Sequence, residues 1–135
     1  MTSSDDIRWL QECAKLAASS DDSETSIGCV IVAAEGNLVA EGYNSLPQGV
    51  DIRPDRLMRP TKYLWIEHAE RNAIFSAARA GNALHGCTIY VELLPCADCA
   101  RAIIQSGIVA IVTSLKRAAT YSSARYSEEH IVAST

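Results

Sequence analysis

The sequence predicts an α/β fold built on a mixed sheet, and three observations predict it. Two apolar stretches, residues 27–34 and Leu38–Tyr43, flank the turn signal Glu35-Gly36-Asn37, which reads as an antiparallel hairpin. Further on, an apolar stretch at 87–93, a helical stretch at 96–106 and an apolar stretch at 108–113 follow in strand–helix–strand order. Such a step pairs its two strands in parallel, through a crossover helix. One sheet holding both kinds of pair is mixed.

The elements follow in order. Residues 3–20 predict the first helix, with Ser4 or Asp5 as its cap and Ile7, Leu10, Cys13, Ala14 and Ala17 at helical spacing. Residues 19–26 are polar and acidic, a loop. The run Ile-Gly-Cys-Val-Ile-Val-Ala-Ala over 27–34 has the near-continuous apolar character of a strand buried on both faces. A long connection at 44–66 contains Pro47, Pro54 and Pro60, with Arg53, Arg56, Arg59 and Lys62 among Asp51 and Asp55. It reads either as a solvated loop of mixed charge or as a flap over a site. Residues 67–81 predict an alanine-rich helix ended by Gly81-Asn82, with His68 and Glu70 in its first turn. Gly107 stops the next helix, and a last helix is predicted at 121–131.

Composition bounds the function. The 135 residues suit one domain, 1–135, and 48% of them are hydrophobic. The formal charge of −4 and pI near 5.3 argue against a nucleic-acid polymer as partner, because polyanion binders carry a basic face. No run reaches 18 apolar residues and the N-terminus has no basic, apolar leader pattern, so the expectation is a cytoplasmic protein with no membrane partner. Of five cysteines, Cys13, Cys29 and Cys87 lie in apolar contexts and read as buried free thiols.

The chemistry concentrates in two clusters, His68-Ala69-Glu70 and Pro95-Cys96-Ala97-Asp98-Cys99. One imidazole and two thiols form a donor set that suits Zn²⁺, and three protein ligands leave a fourth tetrahedral position for water. Cys96 and Cys99, at i and i+3, share a helix face, and a helix N-terminus lowers the pKa of a thiol. Glu70 stands two residues from His68, placed to exchange a proton with that water rather than to ligate the metal. A buried core histidine with two inert thiols is the plain alternative. A thioredoxin-like redox pair is another, but it would need neither His68 nor Glu70.

The order His-x-Glu…Pro-Cys-x-x-Cys matches the zinc deaminase signature, in which the glutamate is the general acid/base. At these residues the chain resembles the cytidine/deoxycytidylate deaminase superfamily, and within it the deoxycytidylate (dCMP) deaminases and their bacterial relatives. The resemblance spans about residues 8–116. It is carried by Ile27-Gly28-Cys29-Val30-Ile31-Val32, Gly42-Tyr43-Asn44, His68-Ala69-Glu70-Arg71-Asn72-Ala73-Ile74, Gly86-Cys87-Thr88-Ile89-Tyr90-Val91 and Pro95-Cys96-Ala97-Asp98-Cys99-Ala100-Arg101.

The resemblance implies a three-layer α/β/α cytidine-deaminase-like fold with a mixed sheet of four to five strands, a homo-oligomer, and Zn²⁺ on His68, Cys96 and Cys99. It implies hydrolytic deamination of a cytosine nucleotide, dCMP to dUMP with ammonia released and Glu70 as proton shuttle. The alternatives are deamination of another small aminated base, nucleoside or heterocycle, and a zinc-stabilised binding protein without activity. The resemblance further implies that Asn44 contacts the sugar or phosphate and that the Ala69 backbone amide meets the base carbonyl. Tyr63 or Trp65, just before His68, could stack on the base. Any phosphate would fall to Arg53, Arg56, Arg59, Lys62 or Arg79, the last across a subunit contact. Two departures bear on the phosphate end. Ser20-Asp21-Asp22-Ser23 stands where many dCMP deaminases carry a basic residue, Asp and Pro, and Ser45 replaces a glycine after Asn44.

Overall fold

The computed structural model describes residues 3–114. Helix α1 (Ser4–Ala17) precedes the hairpin β1 (Gly28–Val32) and β2 (Leu38–Tyr43). The connection that follows contains a 3-10 turn at Pro54–Arg56 and the short helix α2 (Lys62–Trp65). Then come α3 (Ala69–Ala80), β3 (Thr88–Val91), α4 (Ala97–Gln105) and β4 (Ala110–Val112). The strands form one mixed sheet in the order β2-β1-β3-β4. β1 runs antiparallel to both β2 and β3, and β3 pairs in parallel with β4 across α4. The expected hairpin and parallel pair are both present, and the described residues supply four strands.

Alternation along the strands splits the core in two. Cys29 and Ile31 of β1, with Ile89 and Val91 of β3, face Ala69, Ala73 and Ala77 of α3 and Ile103 of α4. Val30, Val32 and Tyr90 face the other way, against Cys13, Trp9 and Leu10 of α1. All five β1 residues are buried, as a strand covered on both faces requires. The architecture is three-layered, α1 on one face and α3 with α4 on the other. Two glycines permit the close packing. A Cβ on Gly42 would lie 2.6 Å from the Ala73 amide nitrogen of α3, and one on Gly28 would run into the Cys13 carbonyl oxygen of α1.

Several expected boundaries move. The first helix is capped by Ser3, not Ser4 or Asp5, and stops at Ala17, where the acidic loop begins. The helix expected over 67–81 starts at Ala69; Glu67 pairs with Ser45 in an isolated antiparallel bridge, and His68 is the N-cap. Gly81, at φ 75°, closes that helix in the left-handed conformation. The expected helix at 121–131 lies outside the described residues. Among the described residues no helix is long and apolar enough to cross a membrane.

Candidate active site

Two helix starts bring the donor atoms together. His68 and Cys96 are the N-cap residues of α3 and α4, in near-identical extended conformations (φ −73°, ψ 153° and φ −69°, ψ 171°), and neither side chain caps its helix. Both are thereby free to turn into the site. Cys99 follows on the buried face of α4. His68 Nδ1 lies 3.5 Å from Cys96 Sγ and 3.4 Å from Cys99 Sγ. All three ligand atoms fall within 4.8 Å of one another, and among the described residues this is the group with metal-ligating geometry. Tetrahedral zinc, with Zn–N and Zn–S bonds of about 2.0 and 2.3 Å, separates such N and S atoms by about 3.5 Å. The donor set therefore fits Zn²⁺ in chemistry and in spacing.

The electrostatics of the site agree. A hydrogen bond from the Cys99 thiol, helped by His68, holds Cys96 down to about 4 against the effect of burial. Cys99 is pushed up by the same bond and by burial. The hydrogen bond to Cys96 raises His68, with the Glu70 charge adding to it and burial opposing. A metal binds the deprotonated forms, so loading releases protons.

Glu70 sits in the first turn of α3, 6% exposed, and is not part of the ligand set. Burial raises its pKa and the nearby His68 lowers it, with burial the larger effect. A carboxyl held above its ordinary range can both take and return a proton.

His68, Ala69 and Glu70 line a cavity of about 120 Å³, together with Asp22, Thr25, Ile27, Asn44, Lys62, Tyr63, Ile66 and Leu93. The connection at 44–66 thus supplies part of the wall, through Lys62, Tyr63 and Ile66. Asn72 fastens it, donating from Nδ2 to the Tyr43 carbonyl at 2.8 Å and to Ser45 Oγ at 3.1 Å.

The expected substrate residues divide. Asn44, Ala69 and Tyr63 line the cavity. Asn44 is buried and its amide is engaged: Oδ1 accepts from the Ile27 N–H, and Nδ2 donates to the Thr25 carbonyl. Among the described residues, its second Nδ2 hydrogen has no acceptor. Tyr63 is 65% exposed. Trp65 does not line the cavity; it is half-buried beneath the Arg56 guanidinium, 4.2 Å from its ring centroid. Arg79 lines a separate groove, between α3 and residues 41–52. Sequence reasoning passed over Asp22, which reaches the cavity from the loop after α1 and pairs with Lys62 at 3.1 Å. An isolated acidic residue in an acidic loop carries no local signal of such a partner.

One sheet between two helical layers, with a His/Cys/Cys donor set and a buried carboxylate at two helix starts, defines a zinc-binding α/β/α protein. The chain belongs to the family described as the cytidine and deoxycytidylate deaminase zinc-binding region, whose model matches residues 3–115. It is 39% identical over 108 aligned positions to a probable deoxycytidylate deaminase of Caenorhabditis elegans, covering 75% of this chain and 52% of that protein. It is 38% identical over 102 positions to the deoxycytidylate deaminase of Homo sapiens, covering 71% and 56%. The chain spans about half the length of these curated relatives. The dCMP deaminase of cyanophage S-TIM5, solved in complex with dCMP and dUMP, shares the fold, with TM-score 0.72 and 22% identity over 84% of this chain and 82% of that one.

Proposed function

We propose that this chain is a zinc-dependent hydrolytic deaminase of a cytosine nucleotide, taking dCMP to dUMP and releasing ammonia. The observation that carries the reading is Glu70. It is a buried carboxylate outside the donor set that shares a cavity wall with His68, where a structural zinc site has no use for it. The deoxycytidylate deaminase relatives support the substrate.

When bound by His68, Cys96 and Cys99, zinc would supply Lewis acidity that makes water a nucleophile near neutral pH. Glu70 would take the proton from the attacking water and deliver it to the ring nitrogen beside the amine-bearing carbon. It would then move a second proton to the departing amine, so that water is consumed and ammonia leaves. Ala69, the first residue of α3, has a backbone N–H with no intrahelical acceptor, available to the base carbonyl. Asn44 would offer its remaining amide hydrogen to the sugar or phosphate, and Tyr63 would cover the ring. Arg79, facing another groove, would reach a substrate only across a contact between copies. We place the enzyme in the cytoplasm as a homo-oligomer.

A second reading, deamination of an uncharged aminated base or nucleoside, is favoured by Asp22 in the cavity wall, which pairs with Lys62 at 3.1 Å and leaves that lysine no net positive charge to offer a phosphate. The test is ammonia release from a panel of cytosine, deoxycytidine, dCMP and other aminated heterocycles. The proposal expects dCMP to be turned over with the highest kcat/KM. Preference for a nucleoside or base transfers the assignment to the second reading, and no release from any member overturns both.

A further inference from the structure

Lys62 is buried at 3% exposure in the wall of the same cavity. Its Nζ donates to Asp22 Oδ2 at 3.1 Å, while Glu24 Oε1 at 3.7 Å is a charge neighbour outside hydrogen-bond reach. An ammonium carries three donors. Two of those of Lys62 have no hydrogen-bond acceptor among the described residues. Asp22 is itself fixed, because its other oxygen, Oδ1, accepts the N–H groups of Glu24 and Thr25.

The other basic side chains of the 44–66 connection are spent elsewhere. Arg53 pairs with Asp55, Arg56 lies over Trp65, Arg59 pairs with Glu24, and none of the three lines the cavity. Lys62 is the lysine or arginine in that wall. Unmet donors on a buried ammonium are costly, and the cavity is where an acceptor can reach them.

We propose that Lys62 is a substrate-binding residue that donates to an oxygen on the sugar–phosphate end of the substrate, with Asp22 as its positioning residue. This rests on the deaminase reading, which puts the reacting ring at His68 and Glu70 and its carbonyl at the Ala69 amide. The oxygens left for Lys62 are those of the sugar and phosphate. Because Asp22 already balances its charge, Lys62 can hold a hydroxyl without leaving a net charge in the wall.

The test is calorimetric titration of dUMP and 2′-deoxyuridine into the zinc-loaded protein, as wild type, Lys62→Met and the double variant Asp22→Asn/Lys62→Met. The double variant removes both buried charges, so it leaves no stranded carboxylate and decides the matter if the single variant does not fold. Both variants should bind about ten- to a hundred-fold more weakly. An equal loss for the two ligands assigns a sugar oxygen, and a loss confined to dUMP assigns the phosphate. A double variant that binds both ligands like wild type makes the pair a structural clamp and overturns the proposal, as does a wild type that binds neither. Ammonia release by the wild type is measured alongside. Its absence from dCMP and deoxycytidine sinks the deaminase reading, whereas unchanged binding in the double variant with intact release sinks the role of Lys62 alone.

Discussion

The start of α1 and the starts of α3 and α4 use the same helix position in opposite ways. At α1 the N-cap is Ser3, whose Oγ accepts from the Asp6 N–H at 3.0 Å, while the Asp6 carboxylate accepts from the Ser3 N–H, a capping box. Asp6 also accepts from the Tyr90 hydroxyl at 2.6 Å, tying the helix to the sheet. At α3 and α4 the N-caps are His68 and Cys96, and neither satisfies the helix. An absent cap costs about 1 kcal/mol. Both helices forgo it and leave a side chain of the candidate donor set at the mouth of each. The difference teaches where the chain spends its sequence on stability and where on chemistry.

Breaking a functional start should have the largest effect. His68→Ser should abolish zinc retention, measured by metal analysis, since two thiols alone leave the donor set incomplete. The same change offers α3 a conventional cap, so the metal-free variant should be about 0.5–1 kcal/mol more stable to denaturant than metal-free wild type. A variant that keeps zinc would break the comparison.

Changes at α1 should do the reverse. Tyr90→Phe removes a hydrogen bond to a charged, partly exposed carboxylate and should cost about 1–2 kcal/mol in a denaturant melt, with zinc content unchanged. It should also flatten the pH dependence of stability at both ends. The bond to Tyr90 holds Asp6 below its ordinary 3.8, so that contribution is present above this value and fades as pH falls through the lowered pKa. Burial, then the bond to Asp6, pushes Tyr90 from 10.0 up to about 12, so its contribution is present below 10 and fades as pH rises toward 12. Ser3→Ala, the smallest change, should cost about 1 kcal/mol or less and also leave zinc in place.

How legible each region was follows from the distance over which its meaning is spread. The convergence of His68, Cys96 and Cys99 was readable because each cluster is local and the three residue types together form one donor set. The sheet was readable because β1 is apolar throughout and the five residues 33–37, with the turn signal Glu35-Gly36-Asn37, join it to β2. The N-cap role of His68 was not, because an alanine-rich run shows where a helix exists but poorly where its backbone turns helical. Nor was the cavity wall. Lys62 sits among four basic residues that look alike in the chain, and only a partner 40 positions away distinguishes it. Trp65 and Tyr63, two residues apart, read alike for stacking, and the short helix α2 separates them: Tyr63 to the cavity, Trp65 to Arg56.

The central claim is that Glu70 moves protons beside a zinc it does not bind. The most direct measurement is ammonia release from dCMP by wild type and Glu70→Gln, each with its zinc content determined on the same sample. The account predicts one zinc per chain in both, with kcat in the variant lower by about 10²–10⁴-fold or more. A variant that keeps its zinc and turns over at a rate near wild type would contradict it.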